Sequence, residues 1–232
     1  GHHALTADTL GSRSVAIGPY TLTTQNFTTA TDTYNTAVGY ETGTAITTGI
    51  QNTLIGGLAG DALNTGKEHV AIGYEALSTE TNAHASVAIG YQALKAQNGS
   101  GAINTLNVAV GVQAGLDVTT GIKNTLIGSL AGSNLTDADH NTAFGNGALT
   151  ADTLGSTSTA IGTFALYNQN FTTATDTNNT AVGYSAGGAV TTGIHNTLIG
   201  SLAGDAITTG SYNFAAGSGA LGTNILGSAC VA

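Results

Sequence analysis

The chain has 232 residues, only 7% of them charged, and four basic residues stand against thirteen acidic ones for a formal net charge of −9. That balance argues against nucleic acid as a partner, because holding phosphate needs clustered Lys and Arg, and no apolar run approaches the roughly 20 residues that span a bilayer. With 34 Gly, one Pro (Pro19), one Cys and neither Met nor Trp, the surface must be covered by Thr, Asn, Ser and Gly, as expected of an extracellular or virion-like protein.

The chain reads as one tandem array. A motif A-[IVF]-G, or a close relative, places a glycine at Gly1, 18, 39, 56, 73, 90, 111, 128, 145, 162, 183, 200 and 217, spaced 17, 21, 17 and 17 residues three times over. Four short units therefore make a 72-residue superunit: about 1–72, 73–144 and 145–216, with a partial fourth at 217–232. The residue two before the glycine is Ala in most units but Leu54, Leu126 and Leu198 at 72-residue spacing. Longer copies recur at an offset of 144, such as ALTADTLGS at 4–12 and 148–156, and they point to duplication. A fixed period of this size marks a solenoid, in which each unit buries its apolar face only by stacking on its neighbours. One continuous body over 1–232 is expected.

Each unit opens on a short strand. The residues three and one before the glycine are apolar or Thr, as in Val15 and Ile17, Val70 and Ile72, Val87 and Ile89, or Thr197 and Ile199, with a small residue between them. This alternation predicts one large and one small face. The large Val/Ile column is expected to face inward, so Ile89→Asp is expected to open the stack. After the glycine, Y-E-A-L at 74–77, Y-Q-A-L at 91–94 and S-L-A-G at 129–132 and 201–204 read as a return strand whose Ala and Leu pack beneath that column. Turns follow, with the glycines of T-T-G at 47–49, 119–121, 191–193 and 208–210 and of T-G at 65–66 supplying positive φ. A unit of 17 residues holding two short strands is one coil of an all-β parallel β-solenoid, about 13 rungs in all. At about 4.7–4.9 Å per rung the array is expected to form a rod on the order of 60 Å long.

Just before each first strand a polar residue repeats: Asn35, Asn52, Asn107, Asn124, Asn141, Asn179, Asn196 and Asn213, replaced by Ser14, Ser86, Ser158 or His69 elsewhere. Stacked in a column, these side chains can hydrogen-bond along the stack or cap the turn. The four extra residues of each superunit fall at 25–33, 97–105 and 169–177 and should bulge as three similar loops, the natural seats of recognition on a scaffold. Both ends of the chain lie inside a unit, so the array is expected to belong to a longer polypeptide or to a piece whose broken units complete one another.

No catalytic constellation emerges, and no cofactor, nucleotide or metal site is assigned. The six histidines fall in different registers, and the pair His2 and His3 reads as exposed polar filler ahead of a tag or a weak metal site. Asp137 and Asp139 lie close together without the ligand-rich repeat of calcium-binding rolls. Cys230 sits where other units carry Asn or Ser. A threonine column eight residues after the glycine (Thr9, Thr47, Thr81, Thr119, Thr136, Thr153, Thr191 and Thr208) would form a ladder of hydroxyls, which brings ice binding into view.

The N-T-A-V-G-Y and S-V-A-I-G-Y units at 35–40, 86–91 and 179–184 resemble the head repeats of YadA-type trimeric autotransporter adhesins. They resemble still more the N-T-A-x-G-Y-x-A-L repeats of phage tail fibres. The unit here is longer than the adhesin head unit. The resemblance implies a left-handed parallel β-roll packed as a homotrimer, with the small alanine face as its physical basis for close packing. It further implies a non-enzymatic structural or adhesive segment of a tail fibre or cell-surface adhesin, whose partners are its own copies and a host-surface receptor or glycan. A self-assembling extracellular filament or sheath, built head to tail, is the alternative, and an ice-binding solenoid the third.

Overall fold

A computed structural model describes residues 1–232. It is an all-β parallel β-solenoid without a helix, divided into two compact units, Gly1–Thr120 and Gly121–Ala232. The first contains β1 (Gly11–Ser12), β2 (Val15–Ile17), β3 (Thr31–Asp32), β4 (Thr36–Val38), β5 (Thr53–Ile55), β6 (Val70–Ile72), β7 (Val87–Ile89) and β8 (Val108–Val110). The second contains β9 (Thr125–Ile127), β10 (Thr142–Phe144), β11 (Gly155–Ser156), β12 (Thr159–Ile161), β13 (Thr175–Asp176), β14 (Thr180–Val182), β15 (Thr197–Ile199) and β16 (Phe214–Ala216).

In the first unit β2, β4, β5, β6, β7 and β8 pair in parallel, each with the next, and the register places every motif residue on its counterpart: Val70 on Val87, Ala71 on Ala88, Ile72 on Ile89. In the second unit β9, β10, β12, β14, β15 and β16 do the same. The pairing is uniform because every coil returns the chain to the same place after 17 or 21 residues.

The strands face the opposite way from the sequence expectation. The middle residue is the buried one: Ala37, Leu54, Ala71, Ala88 and Ala109 in the first unit, and Leu126, Ala143, Ala160, Ala181, Leu198 and Ala215 in the second. The Val/Ile column lies on the outer face, with Ile17 58% and Phe144 53% exposed and Val70, Ile72, Val87 and Ile89 half-buried by their neighbours in the sheet. The reason lies in what fills the coil. The segment after the glycine contributes Ala76 and Leu77, Ala93 and Leu94, Ala148 and Leu149, all fully buried, and little space remains opposite the strand for more than a methyl group. The alanine column is thus core, and it is not available for packing between subunits.

That following segment packs inward as expected, but it is a turn and not a return strand. Its backbone alternates into the left-handed region, with Glu75 at φ 55° and Leu77 at φ 54°, and Gln92 and Leu94 at 56° and 48°. Non-Gly residues rarely adopt this conformation. Here it recurs coil after coil because it turns the chain while the amides of the left-handed residues bond to neighbouring coils, as Glu75 N–H does to the Gly57 carbonyl at 3.1 Å and Leu77 N–H to the Ala93 carbonyl at 3.0 Å.

The motif glycine is required twice over. Gly73 has φ +135°, and a Cβ on it would lie 2.3 Å from the Gly90 carbonyl oxygen of the next coil. The T-T-G glycines differ from expectation: Gly49, Gly66, Gly121, Gly193 and Gly210 are not at positive φ. They are small because the next coil is close, a Cβ on Gly193 falling 2.2 Å from the Gly210 carbonyl oxygen.

A compensation rule governs the core. Where the fourth residue after the motif glycine is Leu, the seventh is polar: Leu22 with Gln25, Leu77 with Glu80, Leu94 with Gln97, Leu149 with Asp152, Leu166 with Gln169. Where the fourth is Gly, the seventh is apolar: Gly43 with Ile46, Gly60 with Leu63, Gly115 with Val118, Gly132 with Leu135, Gly187 with Val190, Gly204 with Ile207. The two kinds of coil compete for one volume. A Cβ on Gly43 would meet Leu54 Cδ1 at 2.8 Å, Leu22 Cδ2 at 3.0 Å and Ile46 Cδ1 at 3.1 Å. Interiors pack at crystal-like density, so a coil fills this volume from its fourth residue or from its seventh and not from both, a Cβ on Gly60 meeting Leu63 of the same coil at 2.8 Å.

Candidate functional site: buried polar clusters and the loops above them

The polar column before each strand lies inside the coil and is bonded along the stack. Asn35 Oδ1 accepts from Asn52 N–H at 2.9 Å, and Asn35 Nδ2 donates to the Gly49 carbonyl at 2.8 Å. Asn52 repeats this with His69 N–H at 3.0 Å and Gly66 O at 3.0 Å. His69 keeps the rule although its side chain differs: Nδ1 accepts from Ser86 N–H at 3.2 Å, and Nε2, the protonated nitrogen, donates to Ala83 O at 2.7 Å. In the second unit Asn141, Asn196 and Asn213 form the same ladder. His69 is therefore fully buried, in the polar column where the sequence places it. Burial holds its imidazole below the usual histidine range, the Ala83 carbonyl only partly offsetting it.

The polar seventh residues gather into one cluster per superunit, always under the long loop. In the first, Gln25 Nε2 donates to Asp8 Oδ2 at 2.5 Å, its Oε1 accepts from Asn35 Nδ2 at 2.9 Å, and Ser14 and Thr33 share a hydrogen bond beside it. In the second, Gln97 Nε2 reaches Glu80 Oε2, Ser86 Oγ and Thr105 Oγ1 at 3.2, 3.1 and 3.2 Å, while Oε1 accepts from Asn107 Nδ2 at 2.9 Å. In the third, Gln169 Nε2 reaches Asp152 Oδ2 and Ser158 Oγ at 2.5 and 2.8 Å, and Oε1 accepts from Asn179 Nδ2 at 2.8 Å.

The acid in each cluster caps the turn and the loop. Asp152 Oδ1 accepts from Gly155 N–H at 3.0 Å and Phe171 N–H at 3.2 Å. Glu80 Oε1 takes Thr81, Asn82 and Ala83 N–H, and its Oε2 takes Gly99 N–H at 3.0 Å. Burial nevertheless pushes the Asp152 carboxyl above its usual range, although these donors pull it back. Sequence reasoning missed these clusters. The signal that could have found them is the strict pairing of Leu with a polar residue three positions later.

The loops bulge where expected. In the first and third superunits the extra residues rejoin the coil through two-residue parallel pairs, β1 with β3 and β11 with β13. Each carries one anchor, Phe27 or Phe171, while Thr28, Thr29, Ala30 and their counterparts at 172–174 are exposed. The middle loop is anchored differently. Gly99 takes the place of the phenylalanine and Ala83 that of Gly11 and Gly155, a swap the space requires, since a Cβ on Gly99 would lie 2.7 Å from that of Ala83. Beside the first loop Arg13 pairs with Asp32 at 3.0 Å and donates to the Tyr34 hydroxyl at 2.8 Å, while the third superunit has Thr157 and Asn178 instead.

The remaining sequence candidates disperse. The threonine column expected to form a free ladder is bonded between coils: Thr81 to Asn98 Oδ1 at 3.1 Å, Thr153 to Asn170 Oδ1 at 3.0 Å, Thr191 and Thr208 to backbone carbonyls at 3.2 Å. A different column, Thr125, Thr142, Thr159, Thr180 and Thr197, stands in continuous register on the outer face of the second unit, alongside Ile127, Phe144, Ile161, Val182 and Ile199. Asp139 Oδ1 accepts from Ile122 N–H at 2.7 Å, and its own N–H donates to Ser156 Oγ at 3.0 Å. His2 and His3 are exposed and meet the Tyr20 ring. Cys230 N–H continues the ladder onto Asn213 Oδ1 at 3.0 Å.

In each unit the outer strand face presents two columns without a charge. In the first unit Val15 and Ile17 are 44% and 58% exposed, and Tyr40, Tyr74 and Tyr91 stand at the adjoining corner about half exposed. Comparison with family models, with curated proteins and with solved structures returned no match.

Proposed function

We propose that this chain is a non-enzymatic structural and adhesive segment of an extracellular or virion fibre, assembled from copies of itself as a homotrimer. The observation that carries the reading is the outer strand face: apolar and Thr columns, uncharged, held in fixed register by parallel pairing. Contiguous exposed apolar surface on a folded protein marks an interaction site. A face repeating at the coil spacing is matched in period by another copy of the same coil. The assignment also moves the trimer contact from the alanine column, which is buried, to the Val/Ile column. The loops and the turn faces stay on the outside of such an assembly, where repeated weak contacts with a host surface add through effective concentration.

Light scattering on the eluting protein tests this. A mass about three times 22.8 kDa is expected, falling to the monomer in a variant carrying Ile72→Glu and Ile89→Glu. A monomeric wild type would overturn the trimer, and unbounded polymers would favour the filament. The outer column from Thr125 to Thr197 supports a second reading, ice binding, since no hydrogen bond within the chain occupies those hydroxyls and their spacing is regular. Thermal hysteresis lost on replacing Thr142, Thr159 and Thr180 by Lys would favour it.

A further inference from the structure

The turn side of the second unit holds a slot of about 480 Å³ where three coils depart from their repeats. The second and fifth residues after the motif glycine are Phe164 and Tyr167 in one coil, Ser185 and Gly188 in the next, and Leu202 and Asp205 in the third. Bulk on both sides and none in the middle opens the slot. Parallel coils rise about 4.8 Å each, so the flanking coils stand roughly 9–10 Å apart, room for one saturated ring and its hydroxyls. The corresponding middle coils of the other superunits are filled, by Glu41 and Thr44 in the first and by Gln113 and Leu116 in the second.

The walls are chemically unlike. On one side Phe164 meets Tyr167 edge to face at 5.3 Å and Tyr184 at 6.4 Å, which fixes an aromatic wall. Next to it Asn168 spends its Nδ2 on the Gly188 carbonyl at 2.7 Å, so the amide oxygen is left to accept. On the other side Leu202 is 40% exposed, and no hydrogen bond within the chain engages the Asp205 carboxylate. A ligand must therefore have a flat apolar face and must donate hydrogen bonds in two directions. A pyranose ring does both: its C–H face stacks on aromatic carbon, and its hydroxyls donate to carboxylate and amide oxygens. An acidic sugar would be repelled by Asp205 and by the net charge of −9. A lone ammonium could not reach both acceptors, which lie on coils two apart.

We propose that this slot binds a neutral hexopyranoside. The proposal rests on the adhesive part of the fibre reading and gives the glycan a place, yet the two fail separately: light scattering reports assembly, and sugar binding reports the slot. The test is saturation-transfer NMR on the full chain with the methyl glycosides of glucose, galactose and mannose. Saturation of the ring C–H protons of at least one of them is expected. It should vanish in the double variant S185Q and G188L, which fills the slot with the side chains that the coil at Gln113 and Leu116 already carries on the same backbone. Affinity should also fall about tenfold in F164A, the size of one lost aromatic contact. An unchanged melting temperature in F164A keeps the test valid if the filled variant folds poorly. No saturation with the wild type, saturation that survives both variants, or displacement of the sugar by tetramethylammonium would each overturn the proposal.

Discussion

Asn52 shows how one residue holds two coils. Its side chain satisfies the His69 amide and the Gly66 carbonyl, both inside the coil. Asn52→Ala leaves both without partners and should cost about 2–4 kcal/mol in urea unfolding. His69 adds a pH dependence whose sign follows from burial. Its folded-state value is depressed, so the unfolded chain binds the proton more readily, and stability present above the ordinary histidine range is lost as pH falls through about 6.5. In His69→Asn, which restores the residue of the neighbouring coils, that component of the acid loss should disappear from melting curves at pH 5 to 7. Asp152 acts oppositely. Its folded value is raised, so the folded state takes up a proton before the unfolded one does, and this contribution improves as pH falls toward the carboxylate range.

At the scale of the element, the strand and its turn divide the interior unequally. The sequence makes the strand legible, since Val-Ala-Ile alternates with period two, and it makes the coil legible through the motif glycines. It does not say which face is inside. Large side chains are the usual core, yet here Leu77 and Leu94 enter from the turns and leave room only for Ala71 and Ala88 from the strands. The turn was read as a strand for a related reason: left-handed φ at Glu75, Leu77 and Gln92 carries no signature in residue type. Two substitutions separate the alternatives. Ile89→Asp, on the outer face, should change the unfolding free energy of the isolated chain by less than about 1 kcal/mol, whereas Ala88→Asp buries an unpaired charge and should abolish the cooperative transition. Leu54→Ala, in the strand next to Gly43 and Gly60, should cost about 2–5 kcal/mol through the cavity it leaves.

For the whole molecule, the 72-residue superunit is a chemical period as well as a spacing. Each superunit spends one acid–Gln–Ser–Thr–Asn cluster on seating one loop, and the same cluster recurs at Asp8, where it is part-buried, and at Glu80 and Asp152, where it is buried. The length of the loops was legible in the sequence; their anchoring was not, because the cluster unites residues up to 27 positions apart, from Asp8 to Asn35. The uncharged Val/Ile and Thr columns of the outer strand face are where copies of the chain are expected to meet. Cryo-electron microscopy of the purified full chain tests it most directly. Three copies around a common axis, with Ile72 and Ile89 turned toward that axis and the loops at 97–105 outermost, are the predicted result. Separate single chains, or an assembly that leaves the Val/Ile columns in solvent and joins copies through another face, would contradict it.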